Sequence, residues 1–216
     1  MLKLSKVDGL HLPDHYYLTP SDNCLFLREY VPGVGFSGGE TNNLISNFKK
    51  GLDRKGRPEW RYKAVAIKQI AQELAKALNT EWVSMATLVP IPPSKTKHNQ
   101  LYDDRMTQVL HQIPTLQGVN GDVRELIVQT ADMPAAHTSD TRPSPDEMRA
   151  HYIIDNASAD PAPRVVGLFD DLLTTGAHFR AAADLVIERF SGITIIGIFV
   201  ARRIIPEIEI EWGPES

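Results

Sequence analysis

Apolar and polar positions change rhythm along the chain, and each change marks an element. Between Tyr62 and Asn79, the residues Ile67, Ile70, Ala71, Leu74 and Leu78 recur at helical spacing and predict a helix with one buried face. "WVSMATLVPIP" follows as a strand that ends in prolines. "NQLYDDRMTQVLHQI" predicts a second helix, with Met106, Val109, Leu110 and Ile113 on its apolar side. "RVVGLF" and "GITIIGIFVAR" are nearly continuous apolar runs, as expected of strands covered on both faces. Between them "GAHFRAAADLVIERF" reads as a helix. This alternation predicts an α/β fold with an open parallel sheet flanked by helices.

The outer parts of the chain are less regular. "CLFLREYV" predicts a strand, and "VPGVGFSGGETNN" a glycine-rich loop. Thr41 or Asn42 is the expected cap of a short helix, "NLISNFKKG", that stops at Gly51. Gly33, Gly35 and Gly38 spell G-x-G-x-x-G. A dinucleotide site needs that motif between a strand and a helix, with an acid about 20 positions on. Here a short helix and "GLDRKGRPEW" follow, so a turn is expected instead. "VRELIVQT" suits a strand or a short helix, and "AHYII" a short strand inside a long polar, proline-bearing segment. "IPEIEIEWG" alternates apolar and acidic residues and predicts a terminal edge strand.

Composition narrows the function classes. The chain has 216 residues, 42% hydrophobic, enough for one sizeable core or one domain with an appendage. A net charge of −4 gives no overall footprint for nucleic acid. The lone cysteine, Cys24, builds neither a disulfide framework nor a Cys-based zinc site within the chain, and packing is its expected role. "HLPDH", with His11, Asp14 and His15, matches a metal-ligand cluster only loosely. No run approaches the roughly 20 apolar residues of a membrane span. The first residues lack the apolar stretch of a secretion signal, so the cytoplasm is the expected location.

The chemistry concentrates in "VVGLFDDLLTTGAHFRAA". Asp170 and Asp171 sit where a buried strand should end, and Thr174, Thr175, Gly176 and Ala177 lie between it and a helix. The first amides of a helix have no intrahelical partner and carry the positive end of its dipole, so a phosphate suits them. Threonine hydroxyls add donors, and a glycine admits the backbone closely. Ionised carboxylates accept hydrogen bonds, and a ribose offers two adjacent hydroxyls. The combination fits a sugar phosphate.

These residues resemble the phosphoribosyl-pyrophosphate (PRPP) loop of the type I phosphoribosyltransferases: apolar residues, two acids, two variable positions and Thr-Thr-Gly. "LISNFKKG", "LVPIPPSKTKHNQLYDDRMTQVL" and "IIGIFVAR" are similar, in the same order, to the ComF-like and amidophosphoribosyltransferase-like branch. The resemblance covers roughly residues 44–203, and the Cys-rich zinc element common in that branch is missing. It implies a small extension over residues 1–43, packed on a phosphoribosyltransferase-like domain over 44–216 with a C-terminal edge strand.

The implied roles follow residue by residue. Asp170 and Asp171 would be catalytic, binding the ribose hydroxyls and touching Mg²⁺ directly or through water. Leu172, Leu173, Thr174, Thr175, Gly176, Ala177 and His178 would hold the 5′-phosphate. His178 departs from the usual threonine. Ser94, Lys95 and Thr96 would bind pyrophosphate, on a backbone stiffened by Pro92 and Pro93, where an unusual peptide geometry is expected. His137, Arg142 and Arg149 are the candidates in the loop that covers PRPP. Arg105, on the helix that follows, is placed by sequence at neither the site nor solvent; Arg202 and Arg203 are further candidate cations near the site, and Trp212 suits either base stacking or edge-strand packing.

The implied activity is a glycosyltransferase: PRPP bound with Mg²⁺, and the phosphoribosyl group passed to a nitrogen nucleophile with release of pyrophosphate. The acceptor, a base or an amine, is not readable. The alternative is a non-catalytic PRPP- or nucleotide-sensing module serving a protein partner in DNA uptake or DNA defence. A homodimer is compatible with either, and a membrane with neither.

Overall fold

The computed structural model describes residues 3–133 and 143–205. Its strands are β1 (Ser5–Lys6), β2 (Cys24–Tyr30), β3 (Thr87–Pro90), β4 (Asp122–Val123), β5 (Ile127–Gln129), β6 (Tyr152–Ile154), β7 (Val165–Leu173) and β8 (Thr194–Arg203). Six of them form one sheet in the order β1-β2-β8-β7-β3-β4. Every neighbouring pair is parallel except β1 with β2. β5 and β6 make a separate antiparallel ribbon. The helices are α1 (Gly39–Phe48), α2 (Arg61–Ala77), α3 (Thr80–Met85), α4 (Arg105–Gln117), α5 (Pro145–Arg149) and α6 (Ala177–Arg189).

Two apolar cores lie on opposite faces of the sheet. On one, Val166, Leu168 and Phe199 pack with Phe179, Ala182 and Val186 of α6 and with the β5–β6 ribbon. On the other, Phe169, Ile198 and Val200 pack against α1, α2 and α4 through Phe48, Ile70, Leu74, Leu110 and Ile113. Strand residues alternate between faces, so Leu168 and Phe169, both fully buried, belong to different cores. Burying each such side chain contributes about 1.5–3 kcal/mol. A slip of one residue would exchange the two faces of β7, so its register, and with it the place of the acids that follow, is strongly specified.

The mixed α/β architecture, a mostly parallel sheet flanked by helices, is as the pattern predicts. Several details differ. Trp82 to Met85, expected in a strand, are helical, because Asn79 caps α3 by accepting from Trp82 N at 2.9 Å. The strand then shortens to Thr87–Pro90. α1 begins at Gly39 rather than after a Thr41 or Asn42 cap. Asn42 is buried instead and bridges the N–H and carbonyl of Val31 at 3.2 and 2.7 Å. "VRELIVQT" divides between the end of β4 and β5.

The G-x-G-x-x-G does follow a strand, but α1 leads on to α2 and α3. The next strand, β3, lies three places from β2 in the sheet, so no compact βαβ unit forms there. β2 pairs with β8 inside the six-stranded sheet, and the boundary expected after residue 43 falls within α1. The expected terminal edge strand and Trp212 lie outside the described residues. No helix among the described residues is long and apolar enough to cross a membrane.

Candidate functional site

Asp170 and Asp171 belong to β7 itself, three and two residues before its last residue, Leu173. Adjacent strand residues point to opposite faces. Asp171 accordingly meets α1 and α4, whereas Asp170 turns toward the face of α6 and β6.

Asp171 is buried and doubly paired. Arg105, at the start of α4, approaches it at 2.6 Å, and Lys49, just past the end of α1, at 2.9 Å. Arg105 also holds Asp103 at 2.9 Å, and buried Lys63 holds Asp103 at 2.7 Å. Lys63 donates in addition to the carbonyls of Phe48 and Lys50, at 2.8 and 2.9 Å. A cation at the C-terminal end of a helix satisfies orphan carbonyls and opposes the dipole. The end of α1, and Lys49 with it, is thereby pinned to the start of α4. Burial alone would push the Asp171 carboxyl up, but Lys49 and Arg105 outweigh it and hold the group well below the usual carboxylate range. Asp171 is therefore ionised and occupied.

Asp170 differs. It is half-buried, and one oxygen accepts from the Asp171 N–H at 2.7 Å. Among the described residues no cation forms an ion pair with it. Burial, with the neighbouring charge of Asp171, raises its pKa to about 7. Of the two adjacent acids, Asp170 is thus the one with an oxygen to offer a ligand. A hard carboxylate oxygen suits Mg²⁺, which keeps waters and phosphate oxygens as its other ligands. The residues fit a magnesium ion brought in with a diphosphate.

The turn after β7 is built for close approach. Gly176 has φ +88°, and a Cβ there would meet Leu18 at 2.9 Å. No side chain caps α6 in its place. Ala177 N meets Thr175 Oγ1 at 3.4 Å, a long contact within the turn. Among the described residues, no other side chain accepts from the first amides of α6. The turn is clasped from behind by the N-terminal segment. Tyr17 N donates to Thr175 O at 3.0 Å, and buried His15 bonds Thr174 O through Nδ1. His15 thus serves the fold of the turn, not a metal cluster. No group of three or more His, Cys, Asp or Glu forms a metal site among the described residues.

His178, in the first turn of α6, is half-buried, with Nδ1 3.2 Å from the hydroxyl of Tyr152. Burial, then Lys49, lowers its pKa to about 4 against the pull of Asp171. The resting ring is therefore uncharged at neutral pH.

The Ser94–Thr96 loop follows β3, beside the acidic strand: Ile91 N donates to Phe169 O at 2.8 Å. Its groups are engaged from within the chain. Ser94 O accepts from Met133 N at 2.8 Å and Gln129 Nε2 at 2.9 Å. Thr96 N donates to Asp132 at 2.8 Å, Asn99 donates to the same carboxylate, and Lys95 lies 3.8 Å from it. Lys97 pairs with Glu125 at 2.6 Å. The cis peptide bond among the described residues is Asp160–Pro161, so the unusual geometry expected at Pro92 and Pro93 is not found there.

Of the remaining candidates, Arg149 is tied to Glu188 at 2.6 Å. Glu188 lies near the far end of α6, about 15 Å along the helix from the turn, so Arg149 is not over the site in this structure. Arg202 turns to Glu29 and Asp14 and stacks on Phe26, 5.2 Å from the ring centre. His137 and Arg142 lie outside the described residues. Cys24 is buried, and burial pushes its thiol up to about 12, as befits a packing residue. Lys49 was not singled out from sequence; the signal was its place at the end of "NLISNFKKG", within the resembling stretch. No protein-family model matches the chain, and no curated protein matches it.

Proposed function

We propose that the chain is a type I phosphoribosyltransferase-like protein that binds PRPP with Mg²⁺ and transfers the phosphoribosyl group to a nitrogen nucleophile, releasing pyrophosphate. One observation carries the reading. At the end of β7 one carboxylate is locked by two cations and its neighbour is left available, immediately before a Thr-Thr-Gly turn that opens α6. Asp170 accepts from the ribose hydroxyls. The turn and the first amides of α6 take the 5′-phosphate. The diphosphate extends toward the Ser94–Thr96 loop at the end of the adjacent strand. Bound Mg²⁺ would neutralise charge on the diphosphate.

In the reaction the bond from ribose C1 to the diphosphate oxygen breaks, and a bond from the acceptor nitrogen to C1 forms. The diphosphate leaves with the electron pair, and the nitrogen's proton passes to solvent. Charge that develops in the transition state is what such a site must meet, and Asp170 faces the cationic sugar. Thermal denaturation with PRPP and MgCl₂ tests the binding. At 100 times its Kd the ligand stabilises the fold by about 2.7 kcal/mol, and Asp170→Asn abolishes the gain. A variant that responds as the wild type does would overturn the assignment.

A second reading is supported by Asp132, which already occupies Thr96 N in the loop meant for pyrophosphate. A PRPP- or nucleotide-sensing module, serving a partner in DNA uptake or defence, needs the binding residues but not turnover. Saturable PRPP binding with no pyrophosphate released, across a panel of bases and amines, favours it over the enzyme.

A further inference from the structure

β6 delivers one side chain to this region from outside the main sheet. Tyr152 is 1% exposed, and its hydroxyl lies 3.2 Å from His178 Nδ1. A buried phenol hydrogen needs an acceptor. Among the described residues the partner of this hydroxyl is His178, so the tyrosine donates and Nδ1 accepts. The ring proton then sits on Nε2. The charged groups that act on the pair come from two elements: Lys49 beyond α1, and Asp171 and Asp170 of β7. They are the groups that frame the candidate site. With its pKa lowered to about 4 by burial, the ring is uncharged at neutral pH.

We propose that Tyr152 is a positioning residue that fixes His178 as an Nε2–H donor to the phosphate of a sugar phosphate seated at the Thr-Thr-Gly turn. The inference rests on the proposed function and adds the chemistry of the contact: an uncharged donor, not an imidazolium, meets the anion. Tyr152 also ties the β5–β6 ribbon to the first turn of α6, so the ribbon helps to orient the ligand.

The test is calorimetric titration of the full chain with ribose 5-phosphate, from about pH 5.5 to about pH 8, across the ordinary histidine titration range. His178→Ala weakens binding by about tenfold, the scale of one hydrogen bond to a charged group. The ratio of wild-type to variant affinity stays constant with pH, because titration of the ligand's own phosphate cancels. Tyr152→Phe weakens binding by about threefold and moves the His178 ring ¹⁵N shifts away from the pure Nε2–H tautomer, a change that lost packing alone would not produce. The inference is overturned if His178→Ala binds like the wild type. It is overturned also if the affinity ratio grows as pH falls through about 6.5, or if Tyr152→Phe leaves the tautomer unchanged. Wild-type protein that takes up neither ribose 5-phosphate nor PRPP removes the proposed function, and this inference with it. Wild-type binding with indifferent variants removes the inference alone.

Discussion

The ends of β7 and β3 lie side by side on one edge of the sheet, yet they are anchored in different ways. β7 continues as regular strand through both acids, between two cores that fix its register. β3 stops at Pro90, and the loop after it is shaped by side chains from elsewhere, Asp132 and Gln129 above all. At β7 the cations Lys49 and Arg105 meet one acid and leave the other available. At β3 an acid has taken the donors that an incoming anion would want. On the proposed function, the β7 half is ready to bind, whereas the β3 half must first exchange partners.

The contrast can be broken most forcefully at Asp171. Replacing it by Asn strands Arg105 and Lys49 and costs about 3 kcal/mol of stability, read by chemical denaturation. Its folded pKa is depressed, so the loss is complete above the unfolded value of about 4 and shrinks in acid as both forms of the wild type become protonated. A neutral result at pH 7 would mean that the ion pairs do not hold the strand end.

Asp170 answers with the opposite sign. Burial raises its folded pKa, so its contribution to stability is present below the unfolded value and is lost as pH rises through about 7. Asp170→Asn escapes that loss. It melts higher than the wild type at pH 8, and the two converge toward pH 4, while PRPP no longer stabilises the variant. A lower melting point at pH 8 would count against a carboxylate kept charged for a ligand at the expense of the fold. The smallest effect belongs to β3. Asp132→Asn removes a competing charge and tightens pyrophosphate binding by about fivefold in calorimetry, near 1 kcal/mol. Weaker binding would make Asp132 a support of the loop rather than a rival for it.

Which parts were legible in sequence follows the same division. Apolar runs and helical spacing announce β7, α6, β8, α2 and α4, because those elements bury whole faces. The acid pair and Thr-Thr-Gly are contiguous, so their placement at a strand end and helix start could be read directly. What escaped depends on distant partners. Arg105 could not be assigned to the site until α4 was packed beside β7, and Lys49 needed the end of α1 to arrive there. Asp132 lay in a polar stretch with no periodicity to orient it. The helical start of "WVSM" had a local sign, the Asn79 cap, which the apolar character of the segment obscured.

The clasp on the back of the turn makes Tyr17 a natural reporter. Its amide proton is committed to Thr175 O, behind the residues that would face a ligand. Deuterium uptake at that single position therefore follows the breathing of the turn, and slows when an occupant stills it, with no label placed among the residues that would touch the ligand.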